Sequence, residues 1–335
     1  MIRTLRLLLC LALLASCALA QTQLNGAGAT FPYPMYSKWF NEYHNLHSDI
    51  QINYQSIGSG GGIRQVMAGT VDFGASDGPM TDEQLKESKI KVLHVPTVLG
   101  ADVPAYNIPG VTGEIKFTPD ILAGIFLGKI GNWSDPAITK ANPGIKFPNQ
   151  NITVVHRSDG SGTTYIWTDY LSKISSEWAS GPGKGTSVKW PVGIGGKGNE
   201  GVAGMIRQLP GSVGYIELIY AIQNKIPYGS VENSSKNFVK ADLSSTTAAA
   251  AGVKMPADFR VSITNATGKN AYPIASFTWL LIPTHPTDAN KGKILKDFLF
   301  WMLDQGQTMT QALSYAPLPK EVVEKEKAAI TQQIH

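Results

Sequence analysis

A short β-rich run, a glycine-rich loop and then a helix recur along this chain, and that unit leaves few folds open. Ile50 to Ser56 (IQINYQS) leads through Ile57 to Gly62 (IGSGGG) into IRQVMAG. Asn151 to Arg157 (NITVVHR) leads through SDGSGT into TYIWTDYLSKISSEW, where Trp167, Tyr170, Leu171, Ile174 and Trp178 recur at helical spacing. Near the start, Asn25 to Pro34 (NGAGATFPYP) uses Gly26, Ala27 and Gly28 to bring bare backbone to a helix start. Thr118-Pro119-Asp120 supplies an N-cap with proline at the first helical position. Lys291 to Leu313 and Pro319 to Ile334 read as helices, and Ser244 to Val253 (SSTTAAAAGV) as a loop or short helix. The pattern predicts an α/β fold without tandem repeats.

The first twenty residues fix the compartment. Arg3 and Arg6 precede the apolar run Leu7 to Ala15, and Ala18-Leu19-Ala20 fits the small-residue rule for signal cleavage, so residues 1–20 read as a signal peptide and the mature chain starts at Gln21. Leu14-Ala15-Ser16-Cys17 resembles a lipoprotein box, which makes a lipidated Cys17 the competing reading. The apolar run is shorter than the roughly 20 residues a membrane span needs. Either route places the mature chain outside the cytoplasm. Both cysteines, Cys10 and Cys17, lie in this leader, so the folded part has no disulfide or thiolate chemistry. At 335 residues with 43% hydrophobic content, the chain can form one large domain or, the preferred reading, two lobes. Losing Arg3 and Arg6 takes the formal net charge from +4 to about +2, which excludes a polybasic nucleic-acid surface.

A loop that ends at a helix N-terminus presents unpaired N–H groups and the positive end of a dipole. Such a site suits an anion. Glycine alone also serves ordinary turns, so composition leaves plain turns and an anion site both open. Three such loops, each carrying Ser or Thr hydroxyls, strain the first explanation.

Two other motifs carry less. Gly193 to Gly198 (GIGGKG) satisfies G-x-G-x-x-G, but the preceding SVKWPV contains Pro191, which cannot donate to a central ladder, and the match sits mid-chain. Structural glycine at a helix start is the better reading. SDGSGTT hints at a serine nucleophile, but His156 should point to the opposite strand face from Arg157. His44, His47, His94, His285 and His335 show no metal-ligand spacing. No metal, cofactor or catalytic residue is expected.

GAGATFPYPMYSKW, YQSIGSGGGIRQVMAGTVDFGASDGPM, RSDGSGTTYIWTDYL and VKWPVGIGGKGNEGVAG, in that order from about Leu24 onward, resemble the periplasmic phosphate-binding proteins (PstS type) of phosphate ABC transporters. The resemblance implies a two-lobed type II periplasmic binding protein with its ligand in the interdomain cleft. Such a protein binds inorganic phosphate and hands it to an inner-membrane permease, as a monomer, without nucleic acid. It implies ligand contacts from Thr30 and the backbone of Phe31, from Ser59, from Asp77, and from Arg157, Asp159, Ser161 and the N–H groups of Gly162 and Thr163. Gly60 stands where many members have a second serine and Ser158 where many have alanine, so neither is carried over. The alternatives are an extracytoplasmic phosphate-ester hydrolase, for which no nucleophile–base pair or metal cluster is evident, and a binder of a related tetrahedral oxyanion.

The residue types make sense for that task. Arg157 offers a fork suited to two phosphate oxygens, and Asp159, two residues on, would hold that guanidinium and temper its charge; a surface ion pair is the plain alternative. Asp77 beside an anion is repulsive unless the ligand brings a proton, which phosphate does near neutral pH and sulfate does not. Asp77 also suits the turn in SDGP. The apolar stretches Val95 to Ile108 and Tyr272 to Pro283 are the expected crossovers, giving residues 24–98 plus 275–335 as one lobe and 99–274 as the other. Hinge closure would then bring Thr30, Ser59 and Asp77 against the loop Arg157 to Thr163.

Overall fold

The computed structural model describes residues 21–335, so the leader and both cysteines lie outside the described residues. Eleven strands are present among the described residues: β1 Thr22–Gly28, β2 Ile50–Ser56, β3 Phe73–Ser76, β4 Val92–Asn107, β5 Lys116–Phe117, β6 Thr153–Arg157, β7 Ile194–Gly196, β8 Ser212–Glu217, β9 Ser230–Glu232, β10 Phe238–Val239 and β11 Ala275–Pro283. Eight form one sheet in the order β2-β1-β3-β11-β4-β8-β6-β7, and β10-β9-β5 form a small second sheet.

The large sheet is built from two parallel groups joined by antiparallel strands. β1 pairs in parallel with β2 and β3, and β6 with β7 and β8, as strand–helix–strand crossovers require. β4 joins the groups: Val92 to Ala101 pairs with β11, and Asp102 to Asn107 pairs with β8. A strand buried along nearly its whole length explains the near-continuous apolar run that the sequence shows there. The result is a mixed α/β fold with a curled sheet.

Helices cap the strands as their sequences direct. Thr118 accepts from the Ile121 N–H and Pro119 takes the first helical position of the helix Pro119–Phe126. The helix Tyr33–Leu46 buries Met35, Tyr36, Trp39, Phe40 and Tyr43 on one stripe. Ser244 to Val253 resolves as the helix Leu243–Ala250, held by a capping box between Asp242 and Ser245.

Three expectations need correcting. Gly26 and Gly28 do not lie in an exposed loop; they sit inside β1, where a Cβ on Gly26 would lie 2.2 Å from the Phe73 ring and one on Gly28 2.1 Å from the Ala75 carbonyl. They are there for close strand packing. The stretch from Thr164 to Trp178 is two helices, Gly162–Ile174 and Ser176–Ser180, because Ser175 turns extended and caps the second through its hydroxyl. Lys291 to Leu313 is the helix Ala289–Asp304 followed by a 3₁₀ segment, Gly306–Leu313.

Candidate functional site

The loops that follow β1, β2, β6 and β7 converge beyond the carboxyl ends of those strands, each opening a helix: Tyr33–Leu46, Ser59–Met67, Gly162–Ile174 and Gly198–Gln208. The convergence is tight. The Gly162 N–H donates to Ser59 Oγ at 2.9 Å and the Gly60 N–H to the Gly160 carbonyl at 2.9 Å. A Cβ on Gly58, at φ 88°, would lie 2.3 Å from Asp159 Oδ2, so glycine is required for this approach.

The expected site residues Thr30, Phe31, Ser59, Asp77, Arg157, Ser161 and Thr163 are all buried, with at most 3% exposure. Arg157, at the end of β6, makes a two-pronged bond to Asp159: Nε to Oδ1 at 2.8 Å and Nη2 to Oδ2 at 2.6 Å. Its Nη1 donates to Thr163 Oγ1 at 3.1 Å. Burial alone would raise the Asp159 carboxyl, and the Arg157 fork, helped by the Gly198 N–H at 3.1 Å, instead holds it below the usual carboxylate range. The guanidinium is thus fixed in direction with its charge largely balanced. Ser161 caps its helix, accepting from the Thr164 N–H at 3.0 Å, which leaves the hydroxyl proton available. Phe31 turns its ring into the core toward Tyr315, leaving its backbone at the loop.

Asp77 follows β3 and lies against the start of the helix Gly162–Ile174: a Cβ on Gly162 would be 2.4 Å from its Oδ2. Oδ1 accepts from Thr278 Oγ1 at 2.8 Å and Oδ2 from Ser59 Oγ at 3.3 Å. Burial dominates these bonds and the Arg157 charge, and pushes the carboxyl up to about 7. At SDGP the chain bends, with Ser76 Oγ donating to the Gly78 carbonyl, and the Asp77 carboxyl takes no part in that bend. Asp102 and Glu217 face each other across β4 and β8 behind this site, and burial pushes both carboxyls well above the ordinary range. Such a surrounding is anionic only at high cost, so an incoming anion meets donors and one fork rather than net charge.

Thr278 and Asn199 were not among the residues singled out from the sequence. Asn199 is fully buried and bonds both Thr30 and Thr163. Its signal lay in GIGGKGN, the segment read as structural glycine; β7 is an edge strand and Pro191 lies outside it, but the helix it feeds starts at the site. His156 points away from Arg157 and stacks on Trp190, with 4.8 Å between ring centroids. Among the described residues, no group of three or more His, Cys, Asp or Glu side chains is placed to hold a metal.

A PBP superfamily domain matches residues 15–305 of this chain. The Phosphate-binding protein PstS of Pasteurella multocida is 46% identical over 312 residues, 92% of this chain and 90% of that protein. Its namesake in Xylella fastidiosa strain Temecula1 is 45% identical over 309 residues, 91% of this chain and 84% of that one. The X-ray structure of a phosphate-binding protein from Stenotrophomonas maltophilia superposes with a TM-score of 0.69 at 19% identity, covering 92% of this chain and 93% of that one, which is a likeness of fold. With identity at that level along nearly the whole length, and a mixed α/β fold whose helix starts converge on Arg157 and Asp77, this chain belongs to the PstS phosphate-binding proteins of the PBP superfamily.

Proposed function

We propose that this site binds inorganic phosphate and that the protein delivers it, as a monomer in the periplasm, to an inner-membrane ABC permease. The observation that carries the reading is Asp77: a buried carboxyl, with one oxygen against the start of the helix Gly162–Ile174 and within the field of Arg157. A site for a fully deprotonated anion has no use for a buried carboxylate. A site for phosphate does, because the ligand's O–H is donated to it. The relatives, named phosphate-binding proteins, support the same choice.

In this reading Thr30, Ser161 and Thr163 donate hydroxyl protons, Ser59 donates once its proton is released from Asp77 Oδ2, the N–H groups of Phe31, Gly162 and Thr163 donate from the backbone, and Arg157 holds two oxygens while Asp159 steadies it. In the present geometry the Gly162 N–H is bonded to Ser59, so phosphate would share or take over that donor. Residues 24–98 with 275–335, and residues 99–274, are the lobes that close on the ligand, hinged at β4 and β11. Among the described residues no helix is long and apolar enough to cross a membrane. The role is carriage rather than hydrolysis: Ser161 is engaged as a helix cap and the nearest histidine in sequence, His156, faces away.

Calorimetric titration of the chain lacking residues 1–20 with phosphate, arsenate and sulfate tests the reading. At pH 8, where Asp77 is ionised, phosphate should bind, arsenate should compete more weakly, and sulfate should not compete. Arg157→Ala should fold and lose at least about 100-fold in phosphate affinity, since a buried charge-assisted pair of bonds is removed. Sulfate bound as well as phosphate, or a folded Arg157→Ala with unchanged affinity, would reject it.

A further inference from the structure

A hydroxyl has one proton to donate and two lone pairs, so whatever fills the lone pairs decides where the proton goes. Thr30 Oγ1 accepts from the Asn199 backbone N–H at 3.2 Å and from Asn199 Nδ2 at 2.8 Å. Thr163 Oγ1 accepts from Asn199 Nδ2 at 3.1 Å and from Arg157 Nη1 at 3.1 Å. None of these partners can accept a hydrogen bond in return. Both hydroxyls, carried by different loops of the site, are left with their protons as the only free valence.

The orientation of the amide is itself fixed. Asn199 Oδ1 accepts from the Glu217 backbone N–H at 2.9 Å, and a backbone N–H can only donate, so the oxygen must face β8 and the NH₂ group must face the two threonines. Asn199 is the second residue of the helix Gly198–Gln208 and has 0% exposure, so no water competes for these bonds.

We propose that Asn199 is a positioning residue that sets the hydrogen-bond polarity of the site: it locks Thr30 and Thr163 as donors toward the ligand. Asp77, beside Ser59 and the start of the helix Gly162–Ile174, is then the acceptor of the site. The ligand class that satisfies this arrangement is a tetrahedral oxyanion with bare oxygens on the threonine side and a protonated oxygen on the Asp77 side. The inference rests on the phosphate reading above and names the residue that enforces its donor pattern.

Asn199→Asp separates this role from a structural one. The new carboxylate keeps the shape and the oxygen that meets the Glu217 N–H, and an acidic residue in the first turn suits the helix dipole. Its second oxygen, however, accepts protons from the threonines and turns their lone pairs toward the ligand. We expect Asn199→Asp to fold, judged by circular dichroism and thermal melting without phosphate, and to bind phosphate at least about 100-fold more weakly, the scale of two misdirected bonds to a charged ligand. Asn199→Ala, which frees the hydroxyls without reversing them, should lose about tenfold.

The same substitutions in a Thr30→Val, Thr163→Val background complete a double-mutant cycle. If Asn199 acts through the hydroxyls, the Asn199→Asp deficit largely disappears there; a full deficit retained in that background means the new charge acts on phosphate directly, and overturns the proposal. Should Asn199→Asp fail to fold, the Asn199→Ala cycle carries the same test, and additivity with the two threonine changes would overturn the proposal. Unchanged affinity in either folded variant would overturn this inference while leaving the phosphate reading intact, whereas a wild-type chain that takes up no phosphate would overturn both.

Discussion

Asp77 shows most clearly how one side chain ties stability to selectivity. Its ordinary value is 3.8 and burial raises it to about 7 in the folded chain. Below about pH 4 the carboxyl is protonated whether the chain is folded or not. Between about 4 and 7 only the folded chain keeps the proton, so stability falls as pH rises, and above about 7 the whole cost stands, on the order of 4 kcal/mol. Asp77→Asn should therefore leave ligand-free stability at pH 4 nearly unchanged, raise it at pH 8, and flatten the slope between, as read from denaturant unfolding across that range. The amide also offers a donor where the carboxylate offered none, so the phosphate-to-sulfate affinity ratio should narrow more than phosphate binding weakens. A variant with the wild-type slope, or with the wild-type ratio, would mean that Asp77 is not the proton-reading group.

At the scale of elements, the start of the helix Gly162–Ile174 is pressed between two side chains from the other loops. A Cβ on Gly162 would lie 2.4 Å from Asp77 Oδ2 and 2.5 Å from Ser59 Oγ. Propensity by itself favours Gly162→Ala, by up to about 1 kcal/mol in a helix interior and less at its first residue. The two effects oppose each other in different observables. We expect Gly162→Ala to keep its helix content and lose phosphate affinity by more than about tenfold, because the new methyl group forces Ser59 and Asp77 apart. Wild-type affinity in this variant would show that the loops do not need to meet this closely. The sequence displayed the glycines that permit the approach, but not which of them faces another loop and which, like Gly26, packs against a ring inside a strand.

For the whole molecule, what matters is how the segments around the site hold one another. Besides the loop contacts, Arg260 reaches from a loop tied to the helix Gly162–Ile174 through Asp169 to the Met80 carbonyl at 2.9 Å and to Asp82 at 2.8 Å. Asp82 is 68% exposed, so the ion pair itself contributes little. Arg260→Ala should raise the phosphate dissociation constant only a few-fold, mostly through a faster off-rate, and stopped-flow release kinetics would show it; a change of a hundredfold would place Arg260 among the ligand contacts instead. Phosphate at a hundred times its dissociation constant should stabilise the folded chain by about 2.7 kcal/mol, a rise in melting temperature that Arg157→Ala should abolish.

The local chemistry was already written in the sequence. Strand, glycine loop and helix start recur there because hydrophobic period, glycine and capping residues are local properties, and RSDGSGT carries a fork, its carboxylate partner and a helix cap within seven residues. Arg157, Asp159 and Ser161 could be named together because RSDGSGT is one of the local stretches that carry the family resemblance. What only the tertiary structure decided is who meets whom across distant segments: that Asp77 lies against Gly162, that Thr278 bonds its carboxyl, and that Asn199 joins Thr30 to Thr163. A sequence pattern reports the period of an element and the chemistry of its ends. The direction in which a hydroxyl proton points depends on donors supplied by strands and helices far apart in the chain, and those are brought together only when the sheet and its loops assemble.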